Sequence, residues 1–359
     1  MKKIVGIIAA LAMAGAVFAA DISAKVELDG NLLKYNGTTE GLTALNVDKP
    51  SDQHWNAVFS TSVSGDNAGA SFVVMSGNSE TNFGWNKQGK TLAGRNWQIW
   101  MKPADALKFT IGKIDSNLNQ EQITWSQTAI KVDSNGFGIN IGIDAISVDL
   151  MFTPDLGNDW MKDAKTLKAA DQAAATDGDA EAAARVAADD YETAIGQTTI
   201  KLGYGADFGN IGLWFQGNDS FKSNTIAVGY SNNFGDVFAF LNAGATLVKD
   251  MDPTIRVEAF AKGNVDAFGW AIWVPVDVDL NLDEDNLTLG TILELTYALD
   301  GATGYFRLND GNFLADDFAA EFRIGAKGSV GGAGWNIWAQ IDVAEKTNFS
   351  VPFEFSYGF

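Results

Sequence analysis

The chain contains no cysteine and a single histidine, His54, among its 359 residues. Without cysteine there is no disulfide framework, cysteine-ligated zinc site, iron–sulfur cluster or cysteine nucleophile, and one histidine is too few for a histidine-rich metal site. The sequence therefore predicts neither a metal site nor a cofactor. Basic residues are also scarce, because 25 Lys and Arg stand against 45 Asp and Glu, giving a formal net charge of -20. Such an acidic chain is not expected to bind nucleic acid.

Long apolar runs are missing beyond the first twenty residues, so no transmembrane helix is expected. The first residues have the pattern of a secretory signal peptide, in which Lys2 and Lys3 precede an apolar stretch from Ile4 to Phe18. We predict that residues 1–20 are cleaved off and that residues 21–359 form the mature chain. Loss of the two lysines takes the formal charge from -20 to -22.

Apolar and polar residues alternate along much of the mature chain. From Trp335 to Val343 every second residue is apolar, and the intervening residues include the polar Asn336, Gln340 and Asp342. Similar runs recur from Ile22 to the C-terminus. A period of two indicates β-strands with one apolar face. Two architectures share this pattern: a soluble sandwich or barrel that buries the apolar face, and a transmembrane barrel that turns it to lipid.

Three features favour the membrane barrel. The connections alternate between tight turns and longer polar loops, and aromatic residues such as Trp97 and Trp270 cluster at strand ends. The third feature is the C-terminal run of Phe349, Val351, Phe353, Phe355, Tyr357 and Phe359. This run resembles the C-terminal strand of outer-membrane proteins of the Gram-negative type. The resemblance implies that Phe359 is an assembly signal read by the barrel-assembly machinery.

The turns and alternating segments together predict an all-β transmembrane antiparallel barrel of about 18 strands, with 16 as the alternative. From residue 21 to 359 the chain resembles the porins, and the signal peptide is similar in style to those of spirochaetal outer-membrane proteins. The resemblance implies a homotrimer in outer-membrane lipid with a water-filled channel for passive diffusion of small hydrophilic solutes and ions.

Two insertions interrupt the alternation. Residues 159–193 include twelve alanines among 35 residues and predict a helical hairpin in an external loop after the seventh strand, either a solvated lid or an adhesion surface. Residues 115–136 follow the fifth strand. In porins the loop at that position folds into the lumen, so the resemblance implies a constriction loop carrying Asp115, Glu121, Lys131 and Asp133; an ordinary surface loop is the alternative.

Charged residues on the lumen side of the predicted strands are the candidates for solute selection. The preferred ones lie near mid-strand: Arg256, Glu258, Arg307, Glu321 and Arg323. They either set the field of the pore or pair across neighbouring strands and hold the wall. With acidic loops at its mouths, the pore is expected to prefer cations modestly.

Four tryptophans share the lumen side and suggest an alternative function. Trp100, Trp214, Trp273 and Trp338 could stack sugar rings, as in sugar-specific porins, unless a β-bulge turns them to lipid. A second alternative is a structural or adhesive barrel with an occluded lumen. An enzyme is disfavoured, because His54 has no acid or serine placed beside it by the sequence.

Overall fold

A computed structural model gives the fold of the chain. The structure describes residues 19–46, 57–76, 92–119, 121, 123, 130–154, 161–162, 164–188, 194–218, 221–282, 286–315 and 319–358. Residues 1–18 of the predicted signal peptide, His54 and the predicted assembly signal Phe359 lie outside the described residues. Cleavage of the signal peptide stays a prediction, and strand β1 begins at Ala19.

The described chain is almost entirely β-structure, as the alternating sequence predicts. Its strands are β1 Ala19–Asn36, β2 Gly41–Asn46, β3 Ala57–Ser64, β4 Ala68–Ser76, β5 Leu92–Ala104, β6 Leu107–Asn117, β7 Lys131–Ile143, β8 Ile146–Thr153, β9 Met161–Lys162, β10 Ala194–Ile195, β11 Gln197–Ala206, β12 Gly209–Asn218, β13 Ser223–Phe234, β14 Val237–Val248, β15 Thr254–Val265, β16 Phe268–Asp279, β17 Leu287–Leu289, β18 Thr291–Leu299, β19 Ala302–Asp310, β20 Ala320–Val330, β21 Ala333–Val343 and β22 Asn348–Gly358.

Antiparallel pairing runs around a ring of strands. Strand β1 pairs with β3, each following long strand pairs with the next, β8 pairs with β11, and β22 pairs back with β1 from Lys25 to Tyr35. Strands β17 and β18 share one register on β16 and act as a single strand broken at Gly290. The ring then has 18 strands, with β2 as a short hairpin partner of β1 and the two-residue pair β9–β10 outside it. The predicted barrel of about 18 strands is confirmed.

Connection length divides the barrel into two ends. Eight tight turns lie at one end, for example Asp144-Ala145 between β7 and β8 and Gly331-Gly332 between β20 and β21. The opposite end carries the long connections, including residues 118–130 after the fifth strand of the ring and the insertion after the seventh. In outer-membrane barrels the tight turns are periplasmic and the long loops external. We call the two ends the tight-turn end and the long-loop end.

The two faces of the ring are inverted relative to a soluble core. On β13, Ile226 and Val228 are 51% and 46% exposed whereas Ala227 between them is 5% exposed, and on β14 Leu241 is 49% exposed beside fully buried Asn242. The exposed large apolar side chains of these strands thus point outward, and Asn242 points into the lumen. In water this arrangement would expose a wide apolar belt, whereas lipid would cover it.

The Ala-rich insertion contains the predicted helical hairpin, formed by α1 Ala164–Thr176 and α2 Ala180–Ala188. Asp179 caps α2, because its carboxylate accepts a hydrogen bond from the Ala182 amide at 3.0 Å. Arg185 joins the helices through a bidentate ion pair with Asp171 at 2.8 and 3.0 Å. None of the described helices is long and apolar enough to cross a membrane.

The predicted bounds of the constriction loop need correction. Strand β6 continues to Asn117 and β7 begins at Lys131, so the loop comprises residues 118–130 rather than 115–136. Asp115 and Asp133 are directly opposite each other in this extended ladder. Their segments lack strong apolar alternation, and the pairing between β6 and β7 holds them in the sheet without it.

Candidate functional site: the lumen wall and the segment that crosses it

After β6 the chain turns into the lumen and crosses the inner wall strand by strand. Four polar contacts mark its path. The Lys201 ammonium group donates to the Asn117 carbonyl at 2.6 Å, the Asn119 amide donates to Asn242 at 2.9 Å, Lys262 pairs with Glu121 at 2.8 Å, and Arg307 donates to the Ile123 carbonyl at 3.3 Å. We call Asn117, Leu118, Asn119, Glu121 and Ile123 the lumen segment. It passes β11, β14, β15 and β19 in that order.

Apolar side chains of this region pack on rings that point inward from the wall. Leu118 lies in a buried cluster with Trp214, to which β6, β7, β8 and β13 also contribute. Ile123 lies in a second buried cluster with Phe240, Phe260 and Ile292. Burial of these side chains holds the lumen segment against one side of the barrel wall.

Two glycines let the lumen segment approach the wall closely. Gly212 and Gly229 are opposite each other on β12 and β13 and face the lumen. A Cβ at Gly229 would lie 2.5 Å from the Asn119 amide nitrogen and 2.8 Å from Leu118 Cγ, and one at Gly212 would lie 2.6 Å from Leu118 Cδ1. Glycine at these positions therefore forms a notch in which Leu118 is seated.

Replacing Gly229 by valine should release the lumen segment from the wall. The new side chain would occupy the space of Leu118 and Asn119, and overpacking of this kind costs about 1–3 kcal/mol. We expect a changed single-channel conductance and faster entry of larger sugars into liposomes. Gly142→Val is the matched control, since Gly142 lies on β7 and a Cβ added there would have nothing within 4 Å. Equal behaviour of the two variants would contradict the docked segment.

The centre of the wall under this segment is a buried carboxylate. Glu258 is fully buried and accepts a hydrogen bond from Arg256 at 2.9 Å and one from Asn242 at 3.3 Å. Arg256 also pairs with Asp277 on β16 at 2.9 Å and lies 5.9 Å from the ring of Trp273. One arginine thus faces two carboxylates in this cluster, which leaves a formal charge of -1 on the wall. The Asn242 amide links the cluster to Asn119.

A second charged cluster lies on β18, β19 and β20. Arg307 and Arg323 are directly opposite each other, and each has its own carboxylate: Glu294 accepts from Arg307, and Glu321 accepts from Arg323 at 2.8 Å. Two like charges so close are tolerated because each is neutralised locally. Tyr305, on the same side of β19 as Arg307, is 6% exposed and faces the lumen.

The five candidate charges thus all lie on the lumen side. Their predicted mid-strand position is wrong for Glu321 and Arg256, which are the second residue of β20 and the third residue of β15.

Of the three predicted constriction residues whose side chains are described, only Glu121 contacts the lumen wall. Asp115 and Lys131 are exposed in the paired strands β6 and β7, on the same outward side as Ile111. The side chain of Asp133 is outside the described part of the structure.

The four predicted tryptophans lie on the lumen side, without a bulge that would turn them to lipid. Trp214 and Trp338 are only 2% and 6% exposed. Trp338 lies 5.6 Å from the Arg323 guanidinium, and Trp100 has Lys102 and Lys108 within 5.6 and 5.4 Å of its ring. Sugar stacking on these rings stays a prediction.

Several residues of the site were missed by the sequence reasoning. Asn242 and Lys262 lie on the same side of the wall as Glu258. The alternation of the strands was the only sequence feature that could have placed them in the lumen. Gly229 carried a weaker signal, because glycine inside a strand often marks a close approach of another chain segment. Which segment approaches could not be deduced, since the contact spans more than a hundred residues.

A closed antiparallel ring with apolar side chains outside and charges inside defines the chain as a β-barrel of the outer-membrane type. No protein-family model and no curated protein matches it in sequence. Solved structures match in fold. OccK9 (OpdG) of Pseudomonas aeruginosa aligns with a TM-score of 0.56 at 10% identity, over 95% of this chain and 98% of that one. A BenF-like porin from Pseudomonas fluorescens aligns with a TM-score of 0.53 at 9% identity over the same shares.

A further match is OccK2 (OpdF) of Pseudomonas aeruginosa in complex with glucuronate, with a TM-score of 0.51 at 11% identity over 95% of this chain and 98% of that one. At such identities the likeness shows the fold alone. The chain is therefore built as these outer-membrane porins are built, over nearly its whole length.

Proposed function

We propose that the protein is an outer-membrane porin that lets small hydrophilic solutes diffuse through its lumen. The observation that carries the proposal is the ring of 18 strands, which has exposed apolar side chains on its outer face and charged side chains on its inner face. A ring of this size encloses more space than wall side chains fill. The fold shared with solved outer-membrane porins supports the same function.

Planar-bilayer recording tests the channel. The refolded barrel, checked by heat-modifiable migration on gels, should give ohmic current steps, and the same preparation boiled beforehand should give none. Folded protein that inserts into the bilayer without current steps would contradict a porin. That outcome would favour the alternative of a structural or adhesive barrel, which gains some support from the buried clusters that the lumen segment forms inside the ring.

A modest preference for cations is part of the proposal. Many of the described lumen charges are in ion pairs, so we expect the charges at the two pore mouths to contribute strongly to ion selectivity. At the tight-turn end seven of the eight turns carry an exposed aspartate. Rings of carboxylates concentrate cations at a pore mouth. The ring consists of Asp66, Asp105, Asp144, Asp207, Asp236, Asp266 and Asp300.

Neutralising four of these aspartates should reduce the cation preference. Asparagine is the fitting replacement at Asp144, Asp236, Asp266 and Asp300, because it keeps the side-chain shape and also tolerates the positive φ of 50° at Asp144 and 51° at Asp266. The reversal potential in a KCl gradient should move toward zero in dilute salt. In about 1 M salt wild type and variant should converge, since screening shortens to about 3 Å. An unchanged reversal potential in dilute salt would assign selectivity to the lumen instead.

The remaining parts of the proposal follow from the porin resemblance. They are a homotrimeric assembly in outer-membrane lipid, export through the N-terminal signal peptide, and recognition of Phe359 by the barrel-assembly machinery. A sugar-specific channel is the second candidate for the solute. It draws on the inward tryptophans, of which Trp100 and Trp273 are more exposed than Trp214 and Trp338.

A further inference from the structure

A polar cavity of about 740 Å³ lies against the inner wall at the tight-turn end, away from the lumen segment. Its charged lining comes from neighbouring strands: Lys327 on β20, Glu354 on β22 and Lys25 on β1. Gly334 and Ser356, which are opposite each other on β21 and β22, give it a floor of small residues. The volume falls within the range of small-molecule sites in proteins.

Lys327 and Glu354 carry opposite charges and are kept apart by one uncharged residue. In the strand ladder Lys327 is opposite Asn336, and Asn336 is opposite Glu354. Because adjacent strands are about 4.8 Å apart, the two Cα atoms are separated by about 10 Å. Within the described part of the chain no ion pair joins these two side chains. Lys327 lies 5.6 Å from the Tyr305 ring.

Asn336 holds this spacing in place. Its side-chain oxygen accepts a hydrogen bond from the Tyr305 hydroxyl at 2.9 Å, and its nitrogen donates to Glu354 at 3.1 Å. These two bonds fix the orientation of the amide, and they leave the second oxygen of the Glu354 carboxylate to accept from a ligand. The site is thus preorganised on rigid strands.

We propose that this cavity binds small zwitterionic solutes, with Lys327 taking the carboxylate and Glu354 the ammonium group. A solute with a single negative charge would be attracted by Lys327 and repelled by Glu354. A solute with a single positive charge would be attracted by Glu354 and repelled by Lys327. A solute with both charges several ångströms apart gains from both side chains. The proposal rests on the channel function only for the route by which the solute arrives.

Binding to the folded barrel in detergent tests the site, with γ-aminobutyrate as the zwitterion and butyrate and butylammonium as singly charged controls of similar length. We expect γ-aminobutyrate to bind about tenfold more tightly than either control, and Lys327→Gln or Glu354→Gln to remove about a tenfold advantage. Heat-modifiable migration confirms that each variant is folded. Asp342→Asn, at the opposite end of β21, should leave binding unchanged.

The exchange of the two charges, Lys327→Glu with Glu354→Lys, should restore γ-aminobutyrate binding because the zwitterion can reverse its orientation. Three results would each overturn the site. Butyrate could bind as tightly as γ-aminobutyrate, the single variants could bind γ-aminobutyrate like wild type, or the exchange could fail to restore binding. Conductance is recorded separately. Current steps without γ-aminobutyrate binding would overturn the site alone, whereas binding without current steps would overturn the channel and leave the site.

Discussion

Replacing Leu241 by arginine should destabilise the barrel in a lipid bilayer by about 2–4 kcal/mol. Leu241 lies near the middle of β14 on the outward side and is 49% exposed. In a bilayer this exposure means contact with acyl chains, and a guanidinium group at that depth loses its hydration. For a soluble protein the same change at an exposed leucine would cost almost nothing. Urea unfolding of the barrel from lipid vesicles measures the difference.

Leu247→Arg is the matched control. Leu247 lies on the same side of the same strand, is 42% exposed, and is close to the long-loop end of β14. Near the interface the cost of arginine falls to about 0–1 kcal/mol, because the side chain reaches water. The two variants therefore differ only in depth. Equal unfolding free energies for Leu241→Arg and Leu247→Arg would show that the belt does not face a bilayer.

Replacing Arg256 by glutamine should lower the unfolding free energy by about 3 kcal/mol. This value is at the lower end of the range for removing one partner of a buried ion pair. Glu258 is fully buried, and the substitution removes its ion pair with Arg256 while the hydrogen bond from the Asn242 amide stays. The low end is appropriate because Arg256 itself is 29% exposed and water can partly replace it. Urea unfolding from vesicles measures this loss as well.

The double variant Arg256→Gln with Glu258→Gln tests two causes of the instability. One is loss of the ion pair itself, and the other is a buried Glu258 charge left without Arg256. Neutralising both residues removes the buried charge together with its lost ion pair, so most of the unfolding free energy should be regained. Asp277 loses Arg256 in both variants and cancels from the comparison; at 32% exposure it is also partly solvated. A double variant as unstable as Arg256→Gln would show that Glu258 is not the source of the loss.

Local patterns were sufficient to predict the barrel wall. The alternation in β21, the tight turns at one end and the strand count all agree with the observed ring. Burial of an alternating strand depends on the side to which each residue points, so parity alone placed Arg256, Glu258 and Trp214 on the lumen side. Loop bounds were less accurate, since residues 115–117 and 131–136 are held in strands by pairing and not by apolar alternation.

The sequence by itself determined that the chain is a β-barrel with its polar side inward, because the period of two and the turn residues are local properties of the chain. Only the tertiary structure decided where the lumen segment crosses the wall. Its contacts join residues that are far apart in the sequence: Asn119 and Asn242 are separated by 123 positions, and Ile123 and Arg307 by 184 positions. Such pairs depend on closure of the whole ring, and no periodicity in either segment records them.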